Sequence, residues 1–217
     1  MNDGRRIRMV MELRRAGVTD AAVLGAMEAV DREAFVPQGW REQAYADKPL
    51  PIGHGQTISQ PAVVGLMLQA LELKPGMRVL EIGVGSGYQT ALLARLTRSV
   101  YGLERIRALL DEARLRLSAE APDNVYLRWA DGGSGWPESA PFDRIIAAAA
   151  ATDLPAALAD QLKIGGVMVL PLVEADGRQA IWRIRRTSDS FETERLLPAA
   201  FVPFLNGAVA ARARGAA

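Results

Sequence analysis

The chain contains 217 residues, of which 49% are hydrophobic and 24% are charged, and its formal net charge is +1. This composition is typical of a globular protein, and the balanced charge argues against nucleic-acid or anionic-membrane partners. The chain has no cysteine and one histidine, which excludes disulfides, thiolate catalysis and a multi-histidine metal site. We therefore expect no metal ion in this protein.

Residues 1–38 are predicted to form an N-terminal helical extension. One helix covers residues 5–16, and its expected buried positions are Ile7, Val10 and Met11. A second helix follows, with the side chain of Thr19 as its cap. Arginines interrupt any signal-peptide core in the first helix, and no apolar run reaches the roughly 18 residues that span a bilayer. We therefore expect a cytoplasmic protein without membrane contacts.

Residues 39–61 are predicted to form a long loop. Prolines at positions 49, 51 and 61 and glycines at positions 53 and 55 exclude a long helix or a central strand. A loop of this length inside a compact domain is usually functional or disordered. Because Trp40 and Tyr45 argue against disorder, we predict an active-site loop here.

Residues 79–104 predict a strand, a glycine turn, a helix and a second strand. Gly83, Gly85 and Gly87 follow the first strand, where glycine adopts positive φ and lets the backbone approach a ligand closely. The N–H groups at the start of the helix would face the same ligand. Glu104 ends the second strand, 21 residues beyond Gly83, a spacing at which a carboxylate accepts hydrogen bonds from ribose hydroxyls. This unit therefore predicts a nucleoside-cofactor site.

Strands and helices alternate along most of the chain, which predicts a parallel sheet covered on both faces. The other predicted helices are residues 61–73, residues 106–120 and a segment from Thr152 or Asp153 to Leu162, and the other strands are residues 124–130, 142–148 and 167–172. Residues 179–187 and 191–201 then predict an antiparallel hairpin.

These elements predict an α/β fold, namely a Rossmann-like, doubly wound, mostly parallel sheet with a C-terminal antiparallel hairpin and the N-terminal helical extension. The whole chain would form a single domain, with its core at residues 62–207 and a tail at residues 208–217.

Acidic residues lie near the carboxyl ends of three predicted strands, at Glu81, Glu104 and Asp131. In a doubly wound sheet such ends surround the crevice where ligands bind. Three acidic groups suit a cationic cofactor without phosphates, which indicates S-adenosylmethionine, with S-adenosylhomocysteine as its product. Glu104 would hold the ribose diol and Asp131 the adenine amine. For Glu81, a helix-dipole or salt-bridge role and a role beside the sulfonium both stay open.

A nicotinamide-dependent dehydrogenase is the more distant alternative. Its cofactor carries a pyrophosphate, which an acidic crevice suits poorly. The third glycine of the dinucleotide pattern is also displaced, because Tyr88 occupies its usual place.

The loop motif GQTISQP, at residues 55–61, makes the resemblance to a known family specific. Together with VLEIGVGSGYQTALLA, VYGLERI and QLKIGGVMVLPL, it resembles the protein-L-isoaspartate O-methyltransferase family. The resemblance implies methyl transfer from S-adenosylmethionine to the α-carboxylate of L-isoaspartyl residues in damaged peptides and proteins. The ester would then close to a succinimide, whose hydrolysis returns some normal aspartyl residues. We expect the enzyme to be a monomer.

The resemblance also implies which residues form the site. Ser59 is the implied active-site residue, and the loop that carries it also contacts the cofactor. The expected cofactor contacts are Thr57, Ser59, Gly83, Gly85, Gly87, Glu104, Asp131, Gly132 and Gln179. Val64, Val173 and Ala200 depart from the family pattern, and these changes could shift substrate preference or weaken activity.

The expected chemistry needs few catalytic groups. A carboxylate has a reference pKa of about 4, so it is ionised near neutral pH and its methylation needs no general base. Its oxygen must be held in line with the methyl group, at roughly 3–3.5 Å. We expect the Ser59 hydroxyl to orient this carboxylate, although capping of the following helix is the alternative role that its spacing allows. Two rival functions also stay open, methylation of another carboxylate and cofactor binding without catalysis.

Overall fold

The computed structural model describes residues 3–120 and 123–210. Its α-helices are α1 (Asp3–Arg15), α2 (Ala21–Ala29), α3 (Pro61–Ala70), α4 (Tyr88–Leu96), α5 (Arg107–Glu120) and α6 (Ala156–Asp160). Its strands are β1 (Leu50–Gly53), β2 (Gln56–Ile58), β3 (Arg78–Ile82), β4 (Ser99–Glu104), β5 (Val125–Trp129), β6 (Phe142–Ala147), β7 (Leu162–Val173), β8 (Gln179–Arg186) and β9 (Phe191–Ala199). Short 3-10 segments lie at Arg32–Phe35, Gln38–Gln43, Gly132–Ser134 and Pro137–Ser139.

The strands from β3 onward form one seven-stranded sheet in the order β5-β4-β3-β6-β7-β8-β9. β3 pairs in parallel with both β4 and β6, so the order reverses between β3 and β6. β8 and β9 form a hairpin, and β8 lies antiparallel to β7. The predicted α/β class, with a mostly parallel doubly wound sheet and a C-terminal antiparallel hairpin, is confirmed. In such a sheet, ligands bind at the carboxyl ends of the strands beside the reversal.

Successive residues of the central strands pack into hydrophobic clusters on opposite faces of the sheet. Val79 belongs to one cluster and Leu80 to the other, and Ile146 and Ile145 divide in the same way. All four side chains are fully buried. Side chains alternate along a strand, and helices cover both faces of a parallel sheet, so both sets are removed from water.

Helix α1 buries a different face from the one predicted. Met9 and Leu13 are 1% exposed, whereas Ile7 and Met11 are 53% and 50% exposed. Of the three predicted positions, Val10 alone is partly buried against the core. Both pairs are spaced by four residues, so helical periodicity alone could not decide between the two faces. The packing of α1 against α2 and α3 selects the face that carries Met9 and Leu13.

Two predicted helix starts are also wrong. Asp20 rather than Thr19 caps α2, because its carboxylate accepts hydrogen bonds from the N–H groups of Ala22 and Val23. Helix α6 follows Pro155 without a side-chain cap and ends at Asp160, so neither Thr152 nor Asp153 caps it.

Strand β7 begins earlier than predicted, at Leu162 rather than at residue 167. Between Leu162 and Val167 its register against β6 shifts, and Gly165 has a positive φ of 74°. The glycines therefore form an irregularity inside the strand instead of preceding it.

Residues 39–61 contain a short hairpin that the sequence did not predict. β1 and β2 pair antiparallel, and Gly53, His54 and Gly55 at the turn all have positive φ. Pro51 lies in β1 of this two-stranded sheet, where the missing N–H of proline is tolerated. The hairpin leads directly through residues 59 and 60 into α3.

Candidate active site

A cavity of about 210 Å³, called the first cavity below, lies at the carboxyl ends of β3 and β4, beside the reversal of strand order. Gly83 and Gly85 line it from the turn after β3, Glu104 from the end of β4, and Gly132 from the segment after β5. Thr57 lines it from the β1–β2 hairpin. These residues, predicted from distant parts of the sequence, therefore meet at one place.

The glycine turn (residues 83–87) provides a wall without side chains. Gly83, Gly85 and Gly87 have φ values of 87°, 56° and 90°. The N–H of Gly83 already donates to the carbonyl of Leu103, at 2.8 Å, and the N–H of Gly85 donates to Glu104. The turn thus allows close approach of a ligand to the backbone, while these two N–H groups hold the turn in place.

Gly87 has a different role from its two neighbours. It is the N-cap residue of α4, and it does not line the first cavity. A Cβ on Gly87 would approach the side chains of Leu117 and Ala113 at 3.3–3.4 Å. Gly87 therefore permits α4 to pack closely against α5.

Glu104 is 5% exposed and holds two segments of the site together. Its Oε2 accepts a hydrogen bond from the N–H of Gly85 and its Oε1 accepts one from the N–H of Ile106, both at 2.9 Å. Burial raises the pKa of Glu104, and its hydrogen bonds with backbone N–H groups oppose that change. Each carboxylate oxygen has a further acceptor position, so Glu104 can still receive hydroxyl donors from the cavity.

Glu81 is fully buried and does not line the first cavity. Its two oxygens accept hydrogen bonds from Thr90 Oγ1 at 2.6 Å and from Gln89 Nε2 at 3.0 Å. Burial raises the pKa of Glu81 to about 7. Both partners lie in the first turn of α4, so Glu81 ties β3 to the helix that follows the glycine turn.

A segment near the C-terminus covers the first cavity. Val202, Pro203, Phe204 and Leu205 line it. Ala150, after β6, holds this segment through two backbone hydrogen bonds, its N–H donating to the carbonyl of Val202 and its carbonyl accepting from the N–H of Phe204, both at 2.8 Å. We call residues 201–207 the roof segment. No local periodicity in the sequence marks this segment as a cavity wall.

Two predicted cofactor contacts bind the roof segment instead of lining the first cavity. Asp131 accepts hydrogen bonds from the N–H groups of Gly133, at 2.8 Å, and Gly207, at 2.7 Å. The side-chain amide of Gln179 makes two hydrogen bonds with the backbone of Phe201. Its oxygen accepts from the Phe201 N–H at 2.7 Å, and its NH₂ group donates to the Phe201 carbonyl at 3.2 Å. These residues anchor the two ends of the roof segment.

A second cavity, of about 160 Å³, adjoins the first. The two cavities share Thr57, Ala148 and Val202. Ser59 lines only the second cavity, where the apolar residues Val63 and Phe201 form other parts of the wall. The structure thus places Thr57 between the cavities and Ser59 on the far side.

Ser59 does not cap α3, so that alternative role is wrong. The N-cap residue is Gln60, without a side-chain cap hydrogen bond. Asp47 takes the capping role from the preceding loop, because its Oδ1 accepts the N–H of Ala62 at 2.8 Å and its Oδ2 accepts from Gln60 Nε2. The Ser59 hydroxyl is therefore left for contacts in the second cavity.

Within residues 3–120 and 123–210, no group of three or more His, Asp or Glu side chains is arranged to hold a metal ion. The same part of the chain contains no helix with the length and apolar character needed to cross a membrane.

The parallel sheet with its reversed strand order, the glycine turn, the acidic residue at the end of β4 and the C-terminal hairpin together define a class I methyltransferase fold. The family model for protein-L-isoaspartate(D-aspartate) O-methyltransferase matches residues 5–208. The chain belongs to this family.

Similar proteins agree with this assignment. The protein-L-isoaspartate O-methyltransferase of Rhodospirillum rubrum is 57% identical over 205 residues, which are 94% of each chain. The protein of the same description from Rhodospirillum centenum is 52% identical, over 93% of this chain and 91% of that one.

Solved structures of the family are also similar. One protein-L-isoaspartate O-methyltransferase has a TM-score of 0.84 and 27% identity over 91% of this chain, which spans only 65% of that longer chain. A Plasmodium falciparum member in complex with S-adenosyl-L-homocysteine has a TM-score of 0.81 and 29% identity, over 91% of this chain and 97% of that one.

Proposed function

We propose that this protein transfers the methyl group of S-adenosylmethionine to the α-carboxylate of L-isoaspartyl residues in damaged peptides and proteins. Its family and its curated relatives carry the name of this activity. The observation that carries the proposal is the pair of adjoining cavities with Thr57, Ala148 and Val202 as their common wall. A methyl donor in the first cavity and a carboxylate in the second would meet at this wall.

The residues of the first cavity fit the cofactor. S-adenosylmethionine supplies, when bound, a methyl group activated by a positively charged sulfonium. Glu104 would accept hydrogen bonds from the ribose diol, and Thr57 would contact the cofactor from the hairpin. Gly83 and Gly85 would let it approach the backbone closely, because neither places a Cβ in the way. At Gly132, which also lines the cavity, a Cβ would instead collide with Ile82.

For the remaining predicted contacts we propose supporting roles. Gly87 lets α4 begin close to α5, while Asp131 and Gln179 hold the roof segment over the cofactor. A direct bond from Asp131 to the adenine amine stays a prediction, as does a direct contact of Gln179 or Ser59 with the cofactor.

On the acceptor side, we propose that the Ser59 hydroxyl donates a hydrogen bond to one oxygen of the substrate carboxylate. The carboxylate is already ionised, so the protein has only to hold its other oxygen in line with the methyl group. The apolar walls at Val63 and Phe201 would strengthen this hydrogen bond by excluding water. The resulting ester is neutral, and its closure to a succinimide requires no group of the protein.

The three departures from the family pattern fall in different environments. Val64 is 2% exposed and packs in the core, and the N–H of Val173 bonds to the carbonyl of Ala151. Ala200 instead lines the second cavity. We therefore propose that, of the three, Ala200 has the most direct influence on substrate preference.

The test is methyl transfer from labelled S-adenosylmethionine to two matched peptides that differ only in an isoaspartyl or aspartyl linkage. We expect a base-labile methyl ester on the isoaspartyl peptide alone. Equal labelling of both peptides would indicate another carboxylate substrate. Binding of S-adenosylhomocysteine without labelling of either peptide would indicate a non-catalytic homologue.

The single-domain organisation, the monomeric state, the cytoplasmic location and the lack of nucleic-acid or membrane partners stay proposals. Size-exclusion chromatography with light scattering tests the monomeric state. We expect a molecular mass near 23.4 kDa.

A further inference from the structure

Arg32 is an arginine whose side chain is fully buried beneath the active-site hairpin. It begins the 3-10 segment Arg32–Phe35, and its exposed fraction is 0%. In the described residues no carboxylate forms an ion pair with Arg32 within 4.0 Å. Asp47 acts on it only at longer range, and its oxygens already accept from Gln60 and Ala62.

The guanidinium of Arg32 bonds to both ends of the active-site loop. Its Nε donates to the carbonyl of Ala44 and its Nη2 donates to the carbonyl of Ser59, both at 2.7 Å. Residues 44 and 59 flank the segment that contains the β1–β2 hairpin. Arg32 therefore fixes the peptide group of the proposed active-site serine from behind.

The same guanidinium contacts the helix that follows the glycine turn. Its Cζ lies 4.7 Å from the ring centroid of Tyr88, which is the first residue of α4 and is 1% exposed. A cation over an aromatic face is favourable, more so when both are removed from water. One side chain thus joins the Ser59 loop to the end of the glycine turn.

A buried arginine without an ion-pair partner is not expected to be present for stability alone. Burying a cation without an opposite charge carries a large desolvation penalty. The Tyr88 hydroxyl is also buried, and its main polar partner is the Arg32 guanidinium rather than a carboxylate. A buried charge without a direct ion pair, beside a functional loop, is the pattern expected of a group retained for function.

We propose that Arg32 is a positioning residue for the methyl transfer, a role that rests on the proposed function. It holds the Ser59 peptide so that the serine hydroxyl faces the second cavity. Its positive charge, which no carboxylate pairs with directly, lies one peptide group behind the wall of that cavity, where it favours an anionic acceptor over a neutral one. Arg32 thus provides a positive charge to the second cavity from the opposite side of the active-site loop.

The test compares Arg32→Met, which keeps the length of the side chain but removes its charge and donors, with Arg32→Lys. For Arg32→Met we expect kcat/KM for an isoaspartyl peptide to fall roughly 100-fold, as for other small misplacements of reacting groups. The Kd for S-adenosylhomocysteine should stay within about threefold of the original value. Arg32→Lys should recover roughly tenfold in kcat/KM, because it restores the charge but cannot bridge both carbonyls.

Arg144→Met is the matched control. Arg144 is also buried, at 6% exposure, and its Nε and Nη2 donate to the backbone carbonyls of Leu71 and Glu72, which do not line either cavity. This variant should lose thermal stability while the kcat/KM of the folded enzyme stays within about threefold.

Several results would overturn the role of Arg32. They are a folded Arg32→Met with unchanged kcat/KM, a loss of S-adenosylhomocysteine affinity as large as the loss of kcat/KM, and equal kinetic losses in Arg144→Met. If Arg32→Met does not fold, Arg32→Lys decides by the same comparison, with an expected loss of roughly tenfold in kcat/KM. If the protein without any substitution methylates no isoaspartyl peptide, the proposed function itself is refuted.

Discussion

The floor and the roof of the first cavity are held in different ways. The floor is the glycine turn with Glu104, and the hydrogen bond from the N–H of Gly85 to Glu104 joins residues 19 positions apart. The roof segment is tied to Asp131, 76 positions from Gly207, and to Arg105, 102 positions from Gly207. The floor therefore forms within one strand–turn–helix–strand unit, whereas the roof requires the completed sheet.

This difference suggests that the floor and the second cavity have different functions. A floor built from local hydrogen bonds and buried strands is preorganised for the cofactor. The roof segment and the β1–β2 hairpin also shape the second cavity, where the acceptor would bind. We expect changes in the floor to alter cofactor affinity and changes around the second cavity to alter turnover.

The largest expected effect is on the acceptor side. Ser59→Ala should lower kcat for an isoaspartyl peptide by roughly 100-fold or more, since loss of one preorganised donor commonly costs 10²–10³ in kcat. The Kd for S-adenosylhomocysteine, measured by calorimetry, should change much less than kcat. Ser188→Ala, in the exposed turn between β8 and β9, is the control and should keep normal kinetics. Full turnover by Ser59→Ala would remove Ser59 from the mechanism.

The next largest effect is on the pH dependence of stability, and it concerns Glu81, which is buried next to the glycine turn. Burial raises the pKa of Glu81 to about 7, compared with about 4.3 for an unfolded glutamate. Between these pH values the folded protein keeps a proton that the unfolded chain releases. The stabilisation is therefore complete below pH ~4.3 and is lost as the pH rises through about 7, a change of about 4 kcal/mol for this group.

Urea unfolding at several pH values between 5 and 8 measures this change. In Glu81→Gln the decline in the free energy of unfolding with pH should be smaller, because position 81 no longer titrates. Glu138→Gln, which alters an exposed carboxylate, should keep the decline of the original protein. Identical pH profiles for the original protein and Glu81→Gln would show that Glu81 is ionised throughout.

A smaller effect is expected from the floor carboxylate itself. Glu104→Gln keeps the shape of the side chain but turns an NH₂ group towards the N–H of Gly85 or Ile106. Since hydrogen bonds to charged groups contribute roughly 1.5–3 kcal/mol, the Kd for S-adenosylhomocysteine should rise about 10- to 100-fold. Glu192→Gln, far along the chain on β9, should bind normally. An unchanged Kd in Glu104→Gln would contradict the ribose assignment.

The smallest effect is expected at the roof. Asp131→Asn keeps one acceptor and loses the other, so one end of the roof segment is held less firmly. At about 1 kcal/mol for one hydrogen bond, S-adenosylhomocysteine should dissociate roughly fivefold faster, with little change in its association rate. Stopped-flow measurements separate the two rates. A change confined to association would mean that the roof does not retain the cofactor.

The sequence could predict those features that are formed by interactions between residues close together in the chain. The alternation of strands and helices, the glycine turn and the position of Glu104 all follow from spacing within a few tens of residues. Thr57 and Ser59 came from a family resemblance, because nothing in the spacing of that loop identifies a cofactor or an acceptor.

Other features depended on contacts that spacing does not encode. Periodicity could not choose between the two faces of α1, and the capping role that spacing allowed for Ser59 belongs to Asp47, which lies in the preceding loop. Asp131 and Gln179 were predicted at the site, but their bonds to the roof segment follow from the closed fold. The burial of Arg32 beneath two loop carbonyls was likewise invisible in the sequence.

The most direct test of the account measures Ser59→Ala and Glu104→Gln side by side, for both S-adenosylhomocysteine affinity and turnover of an isoaspartyl peptide at saturating methyl donor. We predict that Ser59→Ala loses far more turnover than affinity for S-adenosylhomocysteine, while Glu104→Gln binds weakly and recovers most of its turnover at saturation. Equal losses of binding and turnover in both variants would contradict a site divided into a cofactor floor and a separate acceptor cavity.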